Sequence, residues 1–334
     1  MIWFKFVLCL AIILFAGTKL ARYGDAIAEK TGLGRIWIGL LLIAAITTMP
    51  EMATSVSSVA LVSPPSPDLA LGTLLGSCLF NISILALLDI LHRSTPVLTE
   101  ASPRHIASAG WGILLVAIVA GGILAGARFS GLTLGWVGIP SIIIVVVYLT
   151  GMRRMFLSER NHQLPTAKAD SLQYEEIPAR TTYVKFALAA AAVIGAGIWL
   201  SIIGYEITEV TGWGASFVGS LFLEISTSAP ELVVAITALR IGAVDMAVAD
   251  VLGANMLDIA VIFLVDVAYS RGFVLSSVSS SHLVTAAVVV VMNLLVIAGL
   301  KARQRRKTFL FVSWYAIVLI GLYIFGAYAL FILR

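Results

Sequence analysis

Ten apolar runs, each long enough to cross a lipid bilayer, dominate this chain and leave it few possible architectures. Their approximate limits are 2–20, 36–63, 69–91, 106–126, 131–152, 183–204, 213–239, 246–268, 281–300 and 309–331. A hydrocarbon core offers backbone amides and carbonyls no partner, so a run of about 17–25 apolar residues must close its hydrogen bonds inside one helix. The expected fold is an all-α polytopic membrane protein with ten transmembrane helices. Composition agrees: 60% of residues are hydrophobic and 12% charged, too few charges to cover a soluble surface. That excludes a soluble enzyme and a disordered chain. The first run, with Lys5 ahead of an apolar stretch, has the outline of a signal peptide, but no clean small-x-small site follows and it reads as a span. Cys9 and Cys78 both lie in apolar runs and form no disulfide framework.

The net charge of +4 would suggest nucleic acid if the basic residues clustered on one surface. They lie between the runs instead, and their distribution sets orientation. With the N-terminus outside, 18 of the 22 Lys and Arg fall in cytoplasmic segments, including Lys301–Lys307, and both termini are expected to be extracytoplasmic. The one long polar stretch, 153–182, reads as a cytoplasmic linker between a first five-span unit (1–152) and a second (183–334).

The two units resemble each other. Thr47-Thr48-Met49-Pro50-Glu51 in the second run matches Thr227-Ser228-Ala229-Pro230-Glu231 in the seventh, 180 positions on. Gly76-Ser77-Cys78-Leu79-Phe80-Asn81-Ile82 matches Gly253-Ala254-Asn255-Met256-Leu257-Asp258-Ile259, 177 positions on. Matching segments lie five spans apart, an odd number, so the halves are expected to be inverted in the membrane, the plan of alternating-access carriers.

Seven carboxylates fall inside the runs: Glu51, Asp89, Glu224, Glu231, Asp250, Asp258 and Asp266, with no Lys or Arg clearly buried to pair with them. Each costs about 2.5–3.5 kcal/mol at mid-bilayer, so protons or metal cations must neutralise them. Pro50 and Pro230 lack an amide hydrogen, which frees the carbonyls of Ile46 and Ser226. Thr47 and Thr48 share a helical face with Glu51, as Thr227 and Ser228 do with Glu231. Freed carbonyls, hydroxyls and two glutamates are hard oxygen ligands suited to Ca²⁺. The histidines show no metal-binding spacing. Asp89 and Asp266, near span ends, and Asp250 read as readily as capping or solvated groups.

These motifs resemble the two α-repeats of the calcium/cation antiporter superfamily, the sodium/calcium exchanger branch in particular, over nearly the whole chain. The resemblance implies Glu51 and Glu231 as central Ca²⁺ ligands, supported by Thr47 and Thr227. It implies Thr48, Ser228 and Ser77 as Na⁺ ligands, Asn81 and Asp258 as a polar pair beside the site, and spans 1 and 6 sliding over a core of eight helices. It calls for no cofactor beyond the transported Ca²⁺ and Na⁺, no nucleic acid and no obligate protein partner. The implied setting is the lipid bilayer of a bacterial or archaeal cell (inner) membrane.

The chain departs from the family pattern in the second repeat. Ala254 stands where a serine ligand is usual, and Glu224 stands where a small residue is usual. Na⁺/Ca²⁺ exchange is the expected activity, and H⁺/Ca²⁺ or other divalent exchange with Glu224 as proton carrier is the alternative. A cation channel is disfavoured by the internal repeat, and an aspartyl protease by Asn81, which cannot share a proton with Asp258 as a second aspartate would.

Overall fold

A computed structural model describes residues 1–31, 44–128, 133–160, 178–304, 306–309 and 311–333. The first half contains α1 (Ile2–Thr31), a helical stretch over 44–47, α2 (Met49–Ala60), α3 (Pro67–Leu91), α4 (Val97–Glu100), α5 (His105–Gly126), the hairpin β1–β2 (Thr133–Leu134, Val137–Gly138) and α6 (Ile139–Arg160). The second half contains α7 (Ala179–Thr211), α8 (Ala215–Val218), a π-helical turn (Gly219–Leu223) and α9 (Glu224–Thr227). It continues with α10 (Ala229–Arg240), α11 (Val244–Ala268), a 3₁₀ turn (Val274–Ser276), α12 (His282–Ala302) and α13 (Trp314–Ile332).

Among the described residues, eight helices are long and apolar enough to cross a bilayer. The α8–α9 and α10 segments form a ninth candidate, bent by 46°. Part of the expected second span, 36–43, lies outside the described residues, as does 161–177 of the expected linker. The chain between the first two expected spans is helical as far as Thr31, and the fifth span begins at Ile139 after a hairpin rather than at 131. Gly135, at φ +67°, turns that hairpin.

Matching elements recur at the offsets read from the motifs. α2 and α10 each have 12 residues and start 180 apart, and α3 and α11 each have 25 and start 177 apart. α3 and α11 pack against each other and, with α5, α12 and α13, enclose the largest apolar cluster. α1 and α7 pack mainly on one another, joined by Lys5 Nζ to Glu206 Oε2 at 2.8 Å. Two smaller clusters, separate from the main one, hold this pair to the remainder.

Aspartates bracket the two central helices. At the C-terminal end of α3, Asp89 accepts bonds from Val97 N (3.1 Å), Ser313 N (2.8 Å), Ser313 Oγ (2.9 Å) and Tyr315 Oη (2.5 Å). At the equivalent end of α11, Asp266 accepts from Val274 N and Gly138 N, both at 2.7 Å. The expectation that no basic residue is buried beside these acids needs correction. Lys307, from the basic run read as a topology signal, reaches the Asp89 carbonyl and lies 3.7 Å from Asp89 Oδ2.

The N-terminal ends are held by mirrored clasps. Asp68, in the first turn of α3, accepts from Ser279 N at 2.6 Å and lies 3.1 Å from His282 Nε2. Asp245, in the first turn of α11, accepts from Ser102 N at 2.5 Å and lies 3.0 Å from His105 Nε2. Each clasp ties a central helix to a helix of the other half. Their weights differ because the His282 side chain is fully buried while that of Asp245 is 61% exposed. Asp68→Ala is therefore expected to destabilise the fold by about 2–3 kcal/mol and Asp245→Ala by about 1 kcal/mol. Thermal unfolding of both variants in detergent checks the ranking, and equal shifts would refute it.

Candidate cation site

The helix breaks that position the site follow from Pro50 and Pro230. Each sits in the first turn of a helix, where its missing amide hydrogen does no harm, and each interrupts the chain just before it. Thr48 (φ −75°, ψ −1°) and Ser228 (φ −85°, ψ 6°) take up the break near the bridge region. The two breaks are alike in detail: Thr47 Oγ1 donates to Ala44 O and Thr227 Oγ1 to Glu224 O, each at 3.2 Å. Glu51 and Glu231 then lie in the first turns of α2 and α10, both 1% exposed.

Tertiary packing brings the two halves together here. Ser228 Oγ donates to Glu51 Oε1 at 2.9 Å and lies 3.1 Å from Ser77 Oγ on α3. Asn81 Nδ2 donates to Asp258 Oδ2 at 3.3 Å, linking α3 to α11 across 177 positions. Glu51 Oε2, Glu231 Oε2, Asp258 Oδ1, Asn81 Oδ1 and Thr48 Oγ1 are buried without a hydrogen-bond partner. Buried oxygen acceptors left without a donor are unfavourable unless a proton or cation joins them. Among the described residues no three His, Cys, Asp or Glu side chains converge tightly enough to hold an ion alone. A bound cation must therefore draw part of its shell from hydroxyls and freed carbonyls.

Glu224 stands apart from this group. It is fully buried and faces Glu51 and the Tyr323 hydroxyl of α13. The π-helical turn just before it packs tightly on α3. A Cβ on Gly76 would come within 2.5 Å of Ser220 Cα, and Ser220 Oγ donates to Gly72 O at 2.9 Å. Neither Tyr323 nor the π turn carries a signal in the sequence, because both depend on which helices meet. The histidine clasps did carry one: His105 and His282 are separated by the same 177 positions as the second motif pair.

The structure thus sorts the seven acids. Asp89 and Asp266 are end-of-helix anchors, while Glu51, Glu224, Glu231, Asp250 and Asp258 are mid-span carboxylates with at least one free oxygen each.

Known proteins share this fold. The chain resembles the inner membrane protein YrbG of Escherichia coli (strain K12), at 25% identity over 266 residues, 76% of this chain and 75% of that relative. Among solved structures, the H⁺/Ca²⁺ exchanger CAX aligns with a TM-score of 0.73 at 14% identity, covering 98% of this chain and 84% of the other. The sodium-calcium exchanger NCX_Mj aligns at 0.63 with 21% identity, covering 97% and 98%. Native YfkE aligns at 0.64 with 18% identity, covering 98% and 91%. These structural likenesses establish a shared helical membrane fold. The family profile for sodium/calcium exchanger proteins matches residues 1–153 and 181–332. With a matching profile over nearly all of its length, this chain belongs to the sodium/calcium exchanger family and is an integral membrane secondary transporter, not an enzyme.

Proposed function

We propose that the protein is a cation antiporter that exchanges Ca²⁺ for Na⁺ by alternating access at the carboxylates of Glu51 and Glu231. The observation that carries this reading is the meeting of two duplicated, proline-broken helices, with Ser228 of one half bonded to Glu51 of the other at 2.9 Å. In this reading Thr47, Thr227, Thr48, Ser228 and Ser77 supply hydroxyl or carbonyl oxygens, and Asn81 and Asp258 flank the ion. Two glutamates balance one Ca²⁺, or are shared among Na⁺ ions that each bring less charge.

The recurrence of elements at offsets of 177 and 180 supports a ten-span protein of two inverted repeats, 1–152 and 183–334, joined by a cytoplasmic segment 153–182. The distribution of basic residues favours both termini on the outside of the cell inner membrane. The movement proposed is of α1 with α7, which share an ion pair and sit on small clusters apart from the main core.

A second reading, H⁺/Ca²⁺ exchange with Glu224 as proton carrier, is favoured by one observation: Glu224 is wholly buried beside Glu51, with the Tyr323 hydroxyl as its facing polar group. Uptake of ⁴⁵Ca²⁺ into proteoliposomes separates the two. Uptake that requires internal Na⁺ supports the first reading, and uptake driven by a pH gradient alone supports the second. No uptake in either arm, with folded protein, overturns Ca²⁺ as the cargo.

A further inference from the structure

We propose that Asp250 is a separate cation-holding position on the cytoplasmic approach to the central site. Asp250 lies on α11 eight residues before Asp258, about 12 Å along the axis at 1.5 Å per residue and about 80° round the helix. It is 1% exposed, and neither carboxylate oxygen has a hydrogen-bond partner. It is shielded from lipid, on a helix that packs against α10, which carries Glu231. Five residues on, the side-chain amide of Asn255, 4% exposed, also has neither of its polar atoms bonded.

The internal repeat sets Asp250 apart from a helix-end anchor. The two aspartate pairs that anchor helix ends, 68 with 245 and 89 with 266, recur in both halves with their partners. Asp250 does not recur. Its equivalent is Thr73, whose hydroxyl is satisfied by Leu69 O at 2.9 Å. A buried carboxylate with no anchor role, no cation and no donor is costly unless an ion visits it.

Sidedness follows from the topology. With 153–182 cytoplasmic, α11 runs outward, so Asp250 lies on the cytoplasmic side of Asp258. Glu224 precedes Glu231 on an inward-running span and lies on the outer side. The second half thus carries one further buried carboxylate on each side of the central site, at positions that are not repeat equivalents.

The inference rests on the antiport reading, and the test keeps the two apart. Half-saturating ⁴⁵Ca²⁺ is measured from each face in right-side-out and inside-out vesicles, for the wild type, Asp250→Asn, Asp250→Thr, Asp250→Glu and Glu231→Gln. Both neutral variants are expected to raise the cytoplasmic-face value about tenfold and change the outer-face value less than about twofold, with Asp250→Glu close to wild type. Equal shifts on both faces, a shift confined to the outer face, or no shift beside normal wild-type flux would overturn the role of Asp250. Absence of wild-type flux would overturn the antiport reading and this inference with it. Glu231→Gln should abolish flux from both faces, and retained flux there would overturn the central site alone. Thermal unfolding of each variant identifies any loss of fold.

Discussion

Glu51→Gln and Glu231→Gln are each expected to reduce gradient-driven ⁴⁵Ca²⁺ uptake by on the order of a hundredfold or more, equivalent to about 3 kcal/mol. The amide keeps the shape of the carboxylate and can still bond across helices, so a purely structural glutamate would tolerate it. A ligand to a hard divalent cation would not, because half the balancing charge is gone. The two positions are equivalent in the repeat but not in their contacts, since Ser228 Oγ bonds Glu51 while its repeat equivalent, Thr48 Oγ1, has no partner. Ser228→Ala should consequently cost about tenfold, the value of one hydrogen bond to a charged group. Uptake near wild type in either Gln variant, in protein that unfolds normally, would place the ion elsewhere.

Bulky side chains at Gly17 or Gly197 are expected to stop turnover while leaving the main core folded. These glycines are 180 positions apart, on α1 and α7, and each presses on the proline region of the other half. A Cβ at Gly17 would come within 2.6 Å of Pro230 Cγ, and one at Gly197 within 2.8 Å of Ala53 Cβ and 3.2 Å of Pro50 O. The contact involves α1, α7 and the broken helices but not α3 or α11. A leucine there should hold the α1–α7 pair off the kinks and lower maximal exchange by on the order of a hundredfold, against the typical 1–3 kcal/mol of an overpacking strain. Gly195→Leu is the control: it is two residues from Gly197, its Cβ meets nothing within 4 Å, and it should behave as wild type. Equal loss in Gly195→Leu and Gly197→Leu would refute the close-contact explanation.

Much of the molecule was legible before any coordinates. Apolar runs and lipid physics dictate helices, and a proline one residue before each glutamate dictates where two of them break. The repeated motifs also marked Glu51 and Glu231 and the segments that carry Asn81 and Asp258. Boundaries were less legible. α1 continues through Arg22 and Tyr23 to Thr31 because helical hydrogen bonding does not stop where hydropathy falls, and the fifth span starts late because Gly135 turns a hairpin first.

What sequence could not separate was the role of each buried acid, because Asp89, Asp250 and Asp258 look alike as letters in apolar runs. Asp89 is an anchor because Ser313 and Tyr315, more than 200 positions away, fold back onto it. Asp258 gains a partner because α3 brings Asn81 against it, and Asp250 gains none. Local chemistry, helix periodicity and repetition lie within reach of a chain read end to end, and they determined the helices, their kinks and the paired glutamates. Which carboxylates are satisfied and which keep an unbonded oxygen depends on donors brought from distant segments, and only the tertiary structure decided that.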